Sequence, residues 1–115
     1  MKIDLHCHTQ ASPDSRTPIE EIPYRCRERG ITVQAITDHH AIWAAQQLQA
    51  LVRSREDVDL TVIVGEEIKT RAGELVGLFL QERIPPNLSA EQTVKRIKDQ
   101  GGLVLLPHGF ARFKV

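Results

Sequence analysis

Residues 31–37, Ile-Thr-Val-Gln-Ala-Ile-Thr, restrict the fold more than any other stretch. They are apolar and β-branched with little alternation, the pattern of a strand buried on both faces. Such a strand needs a packed layer on each side, and helical patterns flank it. Thr17-Pro18-Ile19-Glu20 carries a helix-start signature, and Ile19, Ile22 and Cys26 form a stripe that ends at Gly30. Pro23 removes a helical donor, so a kink or restart is expected there. A second helix is expected over 41–53, with Ala44, Leu48 and Leu51 facing inward.

Further strands are expected over 3–9, 60–64, 75–80 and 103–106, with a hairpin turn at Thr70-Arg71-Ala72-Gly73. A third helix opens on the capping box Ser89-Ala90-Glu91-Gln92, uses Val94 and Ile97 as its inner face and closes at Gly101-Gly102. The order is strand, helix, strand, helix, strand, strand, helix, strand. That alternation implies an α/β fold with a parallel sheet or barrel, in which chemistry collects at the carboxyl ends of strands.

Those ends carry metal-ligating residue types. In Asp4-Leu5-His6-Cys7-His8-Thr9, His6 and His8 share one face of a strand and stand ~7 Å apart at the backbone, close enough to converge on one cation. Asp38-His39-His40 follows the second strand, Gly65-Glu66-Glu67-Ile68 the third, and Pro107-His108 the last. Strand alternation turns Cys7 away from the two histidines and toward the core, and Cys26 lies on a buried stripe. Asp14, in the loop leaving the first strand, is equally suited to holding a turn or bridging a cation. Asp38 suits either a cap on the second helix or a partner that orients a ligand imidazole. Spacing does not decide between His39 and His40, or between Glu66 and Glu67. Arg112 and Lys114 read either as solvated charges or as groups approaching an anionic substrate.

Lys plus Arg and Asp plus Glu each number 15, so net charge is zero. A basic surface for nucleic acid or anionic membrane is therefore not expected. No apolar run approaches the ~20 residues of a membrane span, and no basic-then-apolar leader opens the chain. Two cysteines make no disulfide framework, and a cytoplasmic location is the expectation.

Asp4-Leu5-His6-Cys7-His8-Thr9, Ile36-Thr37-Asp38-His39, Gly65-Glu66-Glu67-Ile68 and the stretch from Gly101-Gly102-Leu103 to Pro107-His108 resemble the PHP family (polymerase and histidinol phosphatase), in the family's order. The likeness is strongest to stand-alone bacterial phosphoesterases. It implies the amino-terminal portion of a distorted (β/α)7 TIM-like barrel. It also implies metal ligation by His6, His8, Asp14, His39, Glu67 and His108, with His6, His8, His39 and Glu67 as the catalytic set. The ties thus resolve to His39 and Glu67. Two or three divalent ions (Zn, Mn or Fe) and a small phosphorylated substrate, a phosphomonoester or nucleotide, are the implied cofactors and partner.

Three departures stand out. The family's carboxyl-terminal Asp-x-His pair lies beyond residue 115, Gly109 and Ala111 replace a proline and an acidic residue after His108, and Val76-Gly77 stands where many members have a histidine. A full barrel of this type takes ~250 residues. Two further outcomes are therefore expectations: a catalytically incomplete metal-binding fragment, and a half-barrel that closes as a homodimer through its open edge. A polymerase-associated proofreading role fits the neutral charge poorly.

Overall fold

The computed structural model describes residues 1–106. Five strands form one sheet, in the order β1 (Ile3–Asp4), β2 (Val33–Ile36), β3 (Thr61–Thr70), β4 (Gly73–Leu78) and β5 (Leu103–Leu105). Helices α1 (Ile22–Arg29), α2 (Trp43–Arg53) and α3 (Ala90–Asp99) connect them. The sheet curls into half a barrel, as the resemblance implies. Strands β1, β2 and β3 are parallel, β4 is antiparallel to β3, and β5 is antiparallel to β4. Strand β5 therefore runs in the direction of the first three. No helix among the described residues is long and apolar enough to cross a membrane.

The doubly buried reading of 31–37 holds. Ile36, with Val62 and Val64 of β3, belongs to the main core, together with Ile22, Cys26 and Leu48 from the helices. Ala35 and Ile63, one residue out of phase, pack with Val76 and Leu78 in a second cluster. Alternation along each strand thus separates a helix-covered face from an opposite face. A short 3-10 turn, Ile19–Glu21, precedes α1, and the α-helix restarts at Ile22 with Pro23 in its first turn. Pro18 takes the capping position without any side-chain hydrogen bond, so the expected Thr17 cap does not form. Gly30 ends α1 in the left-handed region (φ 71°), where a side chain is disfavoured. The Ser89–Gln92 capping box of α3 forms in full. Helix α2 begins at Trp43, two residues later than expected.

Strand β4 runs two residues earlier than expected, over Gly73–Leu78. Strands β1 and β3 depart further, and both departures shape the rim. The ladder of β1 ends at Asp4 rather than continuing to residue 9. Cys7 still lies beside Thr37, but its N–H donates to the Thr37 hydroxyl (3.2 Å) while Thr37 N–H donates to Cys7 carbonyl oxygen (2.8 Å). A side chain thereby replaces one backbone acceptor, and the regular register stops. Strand β3, expected over 60–64, runs on to Thr70 because it changes neighbours: residues 61–64 pair with β2, and Gly65 onward pairs with β4. Gly65 sits at the change. A Cβ there would lie 2.7 Å from the Gly77 carbonyl oxygen and 3.1 Å from Thr37 Cγ2, so only glycine permits the approach.

Candidate metal centre

Past the ends of β1 and β2 the chain brings four elements to one point. His6 and His8 arrive on the segment after β1, Asp14 on the following loop, His39 just after β2, and Glu67 on β3. A single parallel bridge between His39 and Glu67, with Glu67 N–H donating to Asp38 carbonyl oxygen (3.0 Å), sets the height of the last two. Glu67 shares the face of Ile63, whereas Glu66, one residue earlier, turns to the helix-covered side.

Glu67 is the hub. Its Oε1 lies 2.6 Å from His6 Nε2 and 3.2 Å from His8 Nε2, and its Oε2 lies 3.2 Å from His39 Nε2. The two Nε2 atoms of His6 and His8 are themselves 3.2 Å apart. Asp14 spans the other side, with Oδ2 at 3.0 Å from His8 Nδ1 and 3.3 Å from His39 Nε2. His8, His39 and Glu67 are largely buried, while about half of the His6 and Asp14 side chains faces solvent (50% and 51%), leaving an approach from outside.

The charges are lopsided. Asp14, Glu67 and the neighbouring Glu74 are acidic, and among the described residues none of them pairs with a lysine or arginine. Burial raises the Glu67 carboxyl, but a hydrogen bond with Glu74 and the His39, His6 and His8 rings outweigh it, so Glu67 titrates below the usual range. Asp14 is likewise held low: desolvation opposes the shift, and His8 and His39 dominate it. Glu74 moves up, chiefly through its hydrogen bond with Glu67. Imidazole and carboxylate donors form three mixed groups, each with ligand atoms within 4.8 Å of one another: His6–His8–Glu67, His8–Asp14–His39 and His39–Glu67–Glu74. Ligands of a tetrahedral zinc-type site, ~2.0–2.1 Å from the ion, lie about 3.4 Å apart. The spacings here, 2.6–3.3 Å, are slightly tighter, so a small outward adjustment of these side chains fits a divalent cation.

Five of the six residues singled out from the sequence therefore converge: His6, His8, Asp14, His39 and Glu67. The sixth, His108, lies outside the described residues, as do Arg112 and Lys114. His40 is exposed with left-handed backbone (φ 58°); its ring centroid lies 6.1 Å from that of His39, and it belongs to none of the three donor groups. Cys7 packs against the main core, where burial and the charge of Asp4 push its thiol up to about 11.

Asp38 does neither of the things expected of it. The position before α2 belongs to Ile42, and Asp38 hydrogen-bonds to no imidazole among the described residues; instead its buried carboxylate accepts from Thr9 N–H, Thr9 Oγ1 (2.7 Å) and Ser12 Oγ (2.9 Å). Ser12 Oγ in turn accepts from His39 N–H (2.8 Å). Asp38 thus ties the Asp14 loop to the end of β2. Thr9, Ser12 and Glu74 escaped the sequence reading, since a threonine or serine beside a turn and an acid in a hairpin carry no distinguishing pattern.

Glu66 is almost fully buried on the helix side, where Oε1 accepts from Ile84 N–H (2.9 Å) and Oε2 lies 3.5 Å from Arg83 Nε without a hydrogen-bond donor. Burial pushes its carboxyl up to about 7, against the smaller lowering effects of Ile84 N–H and Arg83. Between pH 4.5 and 7 the unfolded chain has released a proton that the folded chain keeps, so this group's contribution falls as pH rises through that window. Glu66→Gln should therefore gain up to about 3 kcal/mol on wild type between pH 4.5 and 8. Urea unfolding with chelator present measures it; parallel pH profiles for the two proteins would refute the assignment.

The sequence matches the PHP domain family over residues 4–106. Uncharacterized protein MJ1587 of Methanocaldococcus jannaschii is 40% identical over 121 residues, which cover 96% of this chain and 69% of that protein. Uncharacterized protein MJ0417 of the same organism is 37% identical, with 96% and 40% covered. A 5'-3' exoribonuclease of Haemophilus influenzae is 29% identical, with 86% and 36% covered. The chain thus spans well under half the length of the last two.

Proposed function

Since this chain belongs to the PHP domain family, one of metal-dependent phosphoesterases, we propose that its His6, His8, Asp14, His39 and Glu67 hold divalent metal and hydrolyse a small phosphomonoester or nucleotide. The observation that carries this reading is Glu67, whose two oxygens face three imidazoles with no lysine or arginine paired to it among the described residues. Divalent cations of the zinc, manganese or iron class, when bound, supply Lewis acidity toward a phosphoryl group and hydroxide near neutral pH.

The chain's own groups do the rest. Asp14 fixes the His8 ring by its Nδ1 edge, leaving Nε2 directed at the shared point with His6 and Glu67. The exposed edges of His6 and Asp14 leave the solvent side open for an ester to enter. The neutral net charge supports a small anionic ester over a polynucleotide. Similarity to the exoribonuclease supports a phosphodiester of RNA as the competing substrate class.

The test pairs elemental analysis of the purified chain with hydrolysis of p-nitrophenyl phosphate, a mononucleotide and a short RNA in added manganese or zinc. Metal uptake with chelator-sensitive release of phosphate from a small ester is expected. A protein that takes up no metal overturns the reading, and cleavage of RNA alone replaces the substrate class. A second reading, a metal-binding half-barrel that self-associates without turnover, is favoured by apolar side chains at both sheet edges. Ile3 on β1 and Leu103 on β5 are each more than half exposed. Light scattering that shows a monomer would remove it.

A further inference from the structure

A cleft of about 460 Å³ opens at the other end of the sheet. Thr32 and Leu60, which line it, immediately precede β2 and β3, whereas the metal centre lies past the carboxyl ends of β1 and β2. One wall is α1 with the turn before it, and the other is the connection from α2 to β3. The floor is apolar, made by the buried Cys26, Ile31 and Leu60. An apolar floor with a few polar groups at the mouth, at this volume, is the usual form of a small-molecule site.

Both walls carry charge of both signs. Glu20 and Arg27 line the first, and Arg55, Asp57 and Asp59 line the second. None of these five forms an ion pair among the described residues, although other exposed charges do, Arg25 with Glu21 and Lys95 with Asp99. Thr32 adds a hydroxyl whose buried Oγ1 has no hydrogen-bond partner, a condition rare in folded proteins. A simple anion in this cleft would meet three carboxylates, and a simple cation would leave two guanidinium groups unmatched. A molecule with one charge of each sign answers both.

We propose that this cleft binds a free α-amino acid with an apolar or aromatic side chain. Its carboxylate meets Arg27 and Arg55, and its ammonium meets Asp57 and Asp59. Its side chain covers Cys26, Ile31 and Leu60, beside the exposed ring of Tyr24. Charge-assisted hydrogen bonds at both ends fix the orientation, and the apolar floor selects the side chain. The site shares no residue with the metal centre, so the two readings stand or fall separately.

The test is titration calorimetry of the full chain in chelator with L-phenylalanine, L-leucine, phenylacetate and phenethylamine as probes. Saturable binding of one equivalent of L-phenylalanine or L-leucine is expected, with phenylacetate and phenethylamine each weaker by about 10-fold or more. Arg55→Gln and Asp57→Asn, both at exposed positions, should each weaken the amino acid about 10-fold. Arg55→Gln should leave phenethylamine unchanged, and Asp57→Asn should leave phenylacetate unchanged. Thermal unfolding confirms that each variant is folded, and amino acid that binds should raise the melting temperature of wild type. Failure of both amino acids to bind overturns the proposal. So does phenylacetate or phenethylamine binding as tightly as L-phenylalanine, or L-phenylalanine binding equally well to wild type and both variants.

Discussion

Glu67→Gln is expected to weaken divalent-metal binding about 100-fold or more, the largest single effect in the cluster. A group that merely orients a metal ligand is worth 10–100-fold, and Glu67 touches three imidazoles directly. Glutamine keeps the shape and one acceptor oxygen but removes the negative charge. It also turns an amide N–H₂ toward one of the ring nitrogens. Equilibrium dialysis or titration calorimetry against zinc and manganese reads the loss directly. Affinity within a few-fold of wild type would mean that no cation sits between these rings. Phosphate release, if the chain is active, should fall with the metal and should not be rescued by excess ion at ordinary concentrations. His8→Ala should show a smaller loss, because His6 and His39 keep their contacts with Glu67.

Asp38→Ala is expected to destabilise the metal-free fold by about 3–5 kcal/mol, since each buried donor left unpaired costs about 1–3 kcal/mol. Three such donors depend on Asp38: Thr9 N–H, Thr9 Oγ1 and Ser12 Oγ. The carboxylate is almost wholly buried, so water does not stand in for it without first opening the loop. Urea unfolding in chelator measures the change, and a loss below about 1 kcal/mol would show that the loop is held by other contacts. The same substitution frees the segment that carries Asp14, so metal affinity should drop even though Asp38 touches neither ring. Asp38→Asn, with one acceptor oxygen in place of two, should fall between the two proteins.

Residues whose role depends on local pattern were legible in the sequence. The β-branched run 31–37 announced a strand with cover on both faces, and His6 and His8 announced a shared direction by their spacing of two. The capping box at Ser89 placed the start of α3 to the residue. Roles that depend on a distant neighbour were not legible. Nothing near Asp38 reveals that Thr9 and Ser12, 29 and 26 positions earlier, will donate to it. Strand β3 outlasts its expected end because β4 supplies new partners from Gly65 onward, and a pairing partner is invisible to a local window. Glu74 was hidden for the same reason, since only the register of the hairpin sets it beside Glu67. Asp14 shows the intermediate case: spacing alone left it between holding a turn and bridging a cation, the family likeness implied ligation, and the fold sets it against the His8 and His39 rings.

The span of chain gathered at Glu67 bears on how the protein folds. His6 stands 61 residues away along the backbone, and His8 59. Closing loops of that length sacrifices chain entropy before any contact rewards it, so these groups meet only after the parallel ladder from β1 to β3 has assembled. A species with that ladder unformed offers a cation scattered donors rather than a prepared cage. Binding energy is then felt almost entirely by the native state, raising its stability by RT ln(1 + [L]/Kd). Trace metal carried through purification would make the same polypeptide melt at different temperatures from one preparation to the next.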